Sequence, residues 1–489
     1  MGQFNFKTKP YEHQLKAIKS SWDKQYYAFF MEMGTGKSKV LIDEIAALYL
    51  RGRITNALII APKGVYRNWE RSEIPTHLSE DVPNKVVTWR APSNMTKKDK
   101  ESLKNILEPN GKLRIVLMNI EALSGDTAVK YASKFLKTGK SMVAIDESTT
   151  IKTHTARRTK NAMKISELAT YRRIMTGSPV TKNPLDLYSQ LNFLSTKILN
   201  KNFYAFQARY AILVNVNFGP RSTKVVTGYQ RIPELNKIVD QHSYRVLKEE
   251  CLDLPDKIYT KRYVSLTPEQ LKAYEEMRRF NITEMDGNTM STVSTLASLI
   301  RLHQICCGHI TYDDGTTKEI KNNRMEELLE IIQETDGKVI IWANYRFDIK
   351  NICNTLANKF GEESVTTYFG DTKDKDRQDI VEKFQDVDSK LKYFVGNPST
   401  AGYGLTLTAA HTVIYFSNTY DLEKRMQSED RAHRIGQTNK VTYIDIIAEG
   451  TVDEKIVRSL RDKIDIASAV MGEEIKEWVV EPAKKRKEK

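Results

Sequence analysis

Tyr26-Tyr27-Ala28-Phe29-Phe30-Met31-Glu32-Met33-Gly34-Thr35-Gly36-Lys37-Ser38, followed by the apolar-periodic run from Val40 to Leu50, decides the fold of this chain. The aromatic run reads as a strand, the glycines as a loop and the periodic run as a helix, the context a phosphate-binding loop requires. Glycines let successive N–H groups converge on an anion, and the helix N-terminus beyond them adds partial positive charge. In such a loop Lys37 reaches the β and γ phosphates and Ser38 holds Mg²⁺. Gly34, Thr35, Gly36, Lys37 and Ser38 are therefore the candidate nucleotide-binding residues, although the first glycine of the general G-x-x-x-x-G-K-[ST] pattern is missing.

Upstream, Lys9-Pro10-Tyr11-Glu12-His13-Gln14 opens a helix to about Trp22. Gln14 is either an adenine-reading amide or an ordinary exposed helix residue. Downstream, Ala57–Ile60, Ile115–Met118, Met142–Ile145 and Arg173–Thr176 read as buried strands separated mostly by helical patterns, which predicts parallel βαβ units with helices on both faces. Ligands of such sheets sit beyond the carboxyl ends of the strands, where Ala61-Pro62-Lys63, Asn119-Ile120-Glu121, Asp146-Glu147-Ser148 and Thr176-Gly177-Ser178-Pro179 fall. Two adjacent carboxylates closing an apolar strand are costly unless they bind a metal or a proton. Asp146 suits the Mg²⁺ shell and Glu147 suits polarising an attacking water.

Taken in order, these segments resemble helicase superfamily two, and more narrowly the SWI/SNF-type DNA-translocating ATPases. Trp69 and Glu73 follow Ala61-Pro62-Lys63 as in that group, Ile151-Lys152 follows the Asp-Glu box, and Asn183-Pro184-Leu185-Asp186-Leu187-Tyr188 with Leu191-Asn192-Phe193-Leu194 continues the series. One departure is Asp-Glu-Ser where Asp-Glu-x-His is commoner. In the second half, Lys338–Trp342, Val365–Tyr368, Tyr393–Val395, Val413–Phe416 and Thr442–Ile446 read as strands of a second α/β region without a glycine loop. There Gly370-Asp371-Thr372, Ser399–Leu407 and the run Gln427-Ser428-Glu429-Asp430-Arg431-Ala432-His433-Arg434-Ile435-Gly436-Gln437 resemble the family's later motifs. Arg431 and Arg434, three apart, are expected on one helix face.

The resemblance implies an α/β fold of two RecA-like parallel-sheet lobes with helical insertions between and within them. It also implies an ATP-dependent translocase on duplex or branched DNA that remodels DNA or protein–DNA complexes; the alternative is a strand-separating or annealing and branch-migration helicase at forks, in repair or recombination. The implied catalytic residues are Lys37, Asp146, Glu147, Gln427, Arg431 and Arg434; Gln14 and Gly404 join the loop in ATP binding. Lys63, Asn119, Lys152, Thr176, Asn344, Arg346 and Thr400 are the implied DNA contacts, and Ser38 with Asp146 the Mg²⁺ ligands.

The expected division is 1–194 as lobe 1, 195–255 as helical insertion and linker, 256–475 as lobe 2 with a helical insertion near 268–335 and a C-terminal brace helix, and 476–489 as a basic tail. Within the linker, Val214 to Tyr229 reads as a hairpin or exposed loop. Thr267 and Pro268 read as the cap and first residue of a helix. His303, Cys306, Cys307 and His309 lack the paired spacings of zinc sites, so buried structural cysteines are expected.

With 489 residues, 40% hydrophobic and 28% charged, the composition is that of a globular protein of several domains. Four cysteines form no disulfide framework, no run is long enough to span a membrane, and no signal peptide precedes the loop. A net charge of +14 points to a polyanionic partner, most simply nucleic acid. The basic run Lys484–Lys487 fits added non-specific DNA affinity better than nuclear targeting. A monomer in a prokaryotic or viral-host cytoplasm is the expected setting.

Overall fold

The computed structural model describes residues 4–471 except 64, 92, 94, 219–220, 281, 286–287, 292–294, 371, 373–375 and 402–404. These residues form two compact units, 4–253 with 465–471 and 254–464.

The first unit is built on a parallel seven-stranded sheet. Its strands are β1 (Tyr26–Met31), β2 (Asn56–Ala61), β3 (Asn84–Thr88), β4 (Leu113–Asn119), β5 (Ser141–Asp146) and β6 (Tyr171–Met175), which appear in the spatial order β3-β4-β2-β5-β6-β1. Along β1, β2 and β5 alternate residues enter two separate apolar clusters. Ala28, Phe30, Leu58, Ile60, Val143 and Ile145 fill one, and Tyr27, Phe29, Ala57, Ile59, Met142 and Ala144 the other. Both faces of these strands are covered, which is why the sequence shows continuous apolar runs rather than alternation.

Residues 195–255 carry the helices Thr196–Leu199, Phe203–Tyr210, Ile232–His242 and Lys248–Cys251 around the expected hairpin, and depart from a separate linker in one respect, a strand that joins the first sheet. They contain a two-stranded antiparallel ribbon, β7 (Ala211–Phe218) with β8 (Arg221–Tyr229), and then β9 (Ser243–Val246), which pairs in parallel with β1 and closes the sheet. Residues 465–471, expected in the second lobe, belong to the first. There Val470 and Met471, the last turns of the helix Val452–Met471, join the apolar cluster beside Leu235 and Val239.

Helix α2 (Lys37–Leu50) is anchored to the sheet by a fully buried ion pair. Arg173 of β6 donates Nε and Nη2 to the Glu44 carboxylate at 2.9 and 2.7 Å and caps the carbonyls of Ser21, Lys24 and Gln25. The preceding residue, Asp43, accepts from Lys39 Nζ one turn back at 2.8 Å, and its other oxygen is buried without a partner. Burial pushes the Asp43 carboxyl up to about 6, against the opposing Lys39 ammonium. A carboxyl protonated more readily in the folded than in the unfolded chain adds stability below its unfolded pKa of about 4, and that stability is lost as pH rises through about 6. Asp43→Asn should therefore remove a pH-dependent loss on the order of 3 kcal/mol. Urea unfolding of both proteins at pH of about 4 and about 7 reads it; parallel pH profiles would contradict the assignment.

The second unit repeats the design. Strands β10 (Lys257–Val264), β15 (Lys338–Trp342), β16 (Val365–Tyr368), β17 (Tyr393–Gly396), β18 (Ala410–Tyr415) and β19 (Val441–Ala448) form a parallel sheet in the order β10-β19-β18-β15-β17-β16. The hairpins β11–β12 (Ile282–Met285, Asn288–Ser291) and β13–β14 (His309–Thr311, Thr317–Glu319) lie outside it. Thr267 caps the helix Pro268–Phe280, its Oγ1 accepting from Gln270 N–H at 3.3 Å. Cys306 and Cys307 are buried in the core at the end of the helix Thr295–Cys307. Beside them His303 Nδ1 lies 2.9 Å from the Tyr345 hydroxyl, and His309 Nδ1 lies 2.8 Å from Asp348.

Candidate functional site

The glycine loop is held in shape from below. Gly34 and Gly36 have φ of 83° and 85°, the left-handed region that side chains disfavour. A Cβ added at Gly36 would lie 2.2 Å from Gln14 Nε2. That amide donates to the Thr35 carbonyl at 3.1 Å, its Oε1 accepts from Tyr11 N–H at 3.0 Å, and His13 Nε2 lies 2.8 Å from the same Thr35 carbonyl. Gln14, on the helix α1 (Glu12–Ser21), is thus buried beneath the loop and is no exposed helix residue. Lys37 is buried too, its Nζ donating to the carbonyls of Met31 and Glu32 at 3.1 and 3.4 Å. Ser38 follows in the first turn of α2.

Strand order brings the two carboxylates to this loop. β6 separates β5 from β1, and Met175 is in register with both Asp146 and Phe29, so the carboxyl ends of the three strands are level. The buried Asp146 accepts from Trp69 Nε1 at 3.0 Å and from Glu147 N–H at 3.1 Å. Burial raises its pKa above the usual carboxylate range, with the Lys37 ammonium opposing. A buried carboxylate so short of solvation, within electrostatic reach of Lys37, fits a divalent cation. Glu147 adopts φ 51°, a left-handed backbone rare for a side-chain-bearing residue. Its Oε2 accepts from Thr176 Oγ1 at 3.2 Å, and that same Oγ1 accepts from Ser178 N–H at 3.2 Å. The Asp-Glu box, which has Thr149 where the family commonly has His, therefore contacts the Thr-Gly-Ser-Pro motif through Glu147 itself. Ser148 turns away to Gln190 at 2.7 Å.

Two residues at this site carry no sequence signal that periodicity could expose. Arg245 of β9 donates Nη1 to the Phe30 carbonyl at 2.9 Å and to the Gly177 carbonyl at 3.0 Å, bridging the strand before the loop and the Thr-Gly-Ser-Pro motif. Gly177 sits so close to Met33 that an added Cβ would come within 3.0 Å of its backbone nitrogen. Three residues beyond Arg245, Lys248 N–H donates to Glu32 Oε2 at 2.8 Å. These contacts make Arg245 a candidate positioning residue: if the loop binds ATP, Arg245→Ala should lower kcat for ATP roughly 10- to 100-fold with little change in KM, and Arg245→Lys should restore part of it. An equal loss in both variants, or a loss in KM alone, would argue against positioning.

The remaining lobe-1 residues lie along the same sheet edge. Lys63 is exposed just beyond β2, Asn119 ends β4 in register with Ala61, and Lys152 Nζ donates to Thr181 Oγ1 at 2.6 Å. Asn119 donates to Glu121 at 3.2 Å.

In the second unit Arg431 and Arg434 are not on a helix. The helix Leu422–Glu429 ends before them, with Asp430 as its C-cap, because the Arg431 carbonyl is taken by Leu407 N–H at 2.9 Å and the chain turns. The turn achieves what a helix face was expected to do: both guanidinium groups donate to the Leu405 carbonyl, at 3.2 and 3.0 Å. Gln427 is buried, its carbonyl accepting from Arg431 Nε at 2.9 Å. The helix is fixed by Arg425, which lies 3.5 Å over the Tyr415 ring and bonds Asn418, Glu429 and Asp445. Asn344 and Thr400 meet through Asn397, whose Nδ2 donates to the Asn344 carbonyl at 2.8 Å while its own carbonyl accepts from Thr400 N–H at 3.0 Å. Arg346 opens the helix Arg346–Phe360. Gly404 and Asp371 fall outside the described residues.

A glycine loop between β1 and α2, with an acidic pair closing the strand beyond β6, defines the RecA-like class of phosphate-loop folds, here with a second parallel-sheet unit. Residues 24–310 match the SNF2-related domain and residues 321–436 the helicase conserved C-terminal domain. The chain belongs to the SNF2-related family. An uncharacterised ATP-dependent helicase of Mycoplasma genitalium is 27% identical over 97% of this chain and 43% of that protein. A putative ATP-dependent helicase/translocase of Bacillus subtilis is 26% identical over 92% and 47%, and the SWI/SNF chromatin-remodelling complex subunit snf22 of Schizosaccharomyces pombe 25% identical over 90% and 26%. The chain thus spans less than half the length of these relatives. The Sulfolobus solfataricus SWI2/SNF2 ATPase core in complex with dsDNA aligns over 94% of this chain and 92% of that one, at 23% identity and a TM-score of 0.43.

Proposed function

We propose that this chain is an ATP-dependent translocase that tracks along duplex or branched DNA and remodels DNA or the proteins on it. The observation that carries the reading is the convergence of the glycine loop, Lys37, Asp146, Glu147 and Thr176 at one sheet edge. The loop N–H groups and the α2 N-terminus receive the phosphates. Lys37, which rests on two backbone carbonyls, exchanges them for phosphate oxygens of ATP. Glu147 accepts the proton of the attacking water, and its bond from Thr176 links that event to a residue proposed to touch DNA. Ser38 and Asp146 would hold Mg²⁺, which when bound neutralises developing phosphate charge. Gln427, Arg431 and Arg434 are required for turnover, the arginines by stabilising charge on the γ-phosphoryl group; Gln14 and Gly404 complete ATP binding.

Lys63, Asn119, Lys152, Thr176, Asn344, Arg346 and Thr400 contact the DNA backbone, so binding is sequence-independent and falls with salt. The deciding experiment measures phosphate release with and without duplex DNA. Strong stimulation by duplex of any sequence is expected; the same rate with no nucleic acid present would overturn the reading. Displacement assays on forked against blunt duplexes divide tracking from strand separation.

A further inference from the structure

Between Asp186 and Glu234 the chain carries no Asp or Glu at all, over residues 187–233. At the chain's average of 62 acidic residues in 489, a run of that length would hold about six. It holds six cations instead: Lys197, Lys201, Arg209, Arg221, Lys224 and Arg231. Arg209 and Arg231 pair with Glu234 at the base, whereas Lys197, Lys201 and Lys224 are exposed.

The same segment contains the β7–β8 ribbon, whose strands pair only with each other among the described residues. A lone two-stranded ribbon is at best marginally stable in water, and this one leaves β-branched side chains uncovered. Val214 is in register with Val225, and Ile212, Val214 and Val225 remain 45%, 46% and 38% exposed. At the ribbon's foot Tyr204 is 75% exposed, and Lys197 and Lys201 line a shallow polar depression with Thr196, Asn200 and Asn202. The neighbouring Phe203 ring stacks on His154 at 3.6 Å, two residues beyond Lys152. The insertion is therefore continuous with the edge along which DNA contacts are proposed.

We propose that residues 195–218 and 221–230 form a duplex-DNA arm. Lys197, Lys201 and Lys224 meet phosphates, and the Ile212–Val214–Val225 face of the ribbon lies in a groove, which admits a two-stranded ribbon. An acid-free stretch with exposed lysines and uncovered apolar side chains complements a polyanion with apolar groove walls. The inference rests on the DNA-tracking reading and adds to it a grip outside the helicase motifs.

The test measures fluorescence anisotropy of the full chain on a labelled duplex across a KCl series, with DNA-free ATP turnover as control. The combined substitution Lys197→Glu, Lys201→Glu and Lys224→Glu should weaken binding at least ~10-fold and lower the log–log salt slope by about 2 to 3, since each phosphate contact contributes about 0.9. Val214→Thr with Val225→Thr keeps the β-branched shape and should weaken binding a few-fold at unchanged slope. DNA-free turnover and thermal unfolding should match the parent in both. If the parent binds duplex and both variants match it in affinity and slope, the arm is wrong and the tracking reading stands. A parent that does not bind duplex overturns the tracking reading itself. A change in sedimenting mass without a change in DNA affinity would make the ribbon a contact between copies and overturn the arm.

Discussion

Lys37→Ala should abolish ATP turnover, with a loss of about 10³-fold or more, while duplex affinity stays within about two-fold of the parent. The ammonium group acts twice in the structure. It is the cation poised at the glycine loop, donating to the Met31 and Glu32 carbonyls, and it is the charge that opposes the burial-raised pKa of Asp146. Its removal takes away a phosphate partner and leaves a buried carboxyl still less willing to ionise. Phosphate release at saturating duplex reads the first effect, and titration with a fluorescent ATP analogue, with and without Mg²⁺, reads the second. Residual turnover above a few per cent of the parent would remove Lys37 from the phosphate-binding role.

The second large effect is expected from Glu147→Gln. Glutamine keeps the size of the side chain, and its carbonyl can still accept from Thr176 Oγ1, so what is lost is the negative charge and the ability to take a proton. A positioned general base contributes roughly 10²–10⁴-fold. Turnover should fall by that factor while nucleotide binding survives, leaving a protein that holds ATP without spending it. The left-handed backbone at Glu147 makes the comparison informative: a change that merely relaxed the turn would also disturb Asp146, whose Oδ1 accepts from the Glu147 N–H. Unchanged ATP affinity in Glu147→Gln is therefore part of the expected result, and a loss of affinity equal to the loss of rate would point to a collapsed site.

The strands around the site were legible because each is buried on both faces, so Ala57–Ile60 and Met142–Ile145 stand out as unbroken apolar runs. Three of the four edge strands lack that signature, Val365–Tyr368 with its β-branched run being the exception. Asn84–Thr88 is half polar, Ser243–Val246 is four residues inside a helical-looking stretch, and Lys257–Val264 mixes three cations with its apolar residues, so none reads as a strand. Arg245 went unseen for the same reason, since its role exists only because β9 docks beside β1. The loop and Asp-Glu pair were readable because their chemistry demands particular residue types at fixed local spacing. The end of the helix at Glu429 was not, because it is set by a backbone bond from Leu407, more than twenty residues upstream of it.

One feature of the first unit bears on how the protein is made. Its apolar cluster beside Leu235 and Val239 is finished by Val470 and Met471, with Ile466 and Ala467 packed against it, residues translated some two hundred positions after the rest of that unit. During synthesis the amino-terminal half emerges with that groove unfilled and waits for the carboxyl-terminal turns before its core is whole. A chain cut short before Ile466 would leave that apolar seam open to solvent, the kind of transiently exposed surface that favours aggregation.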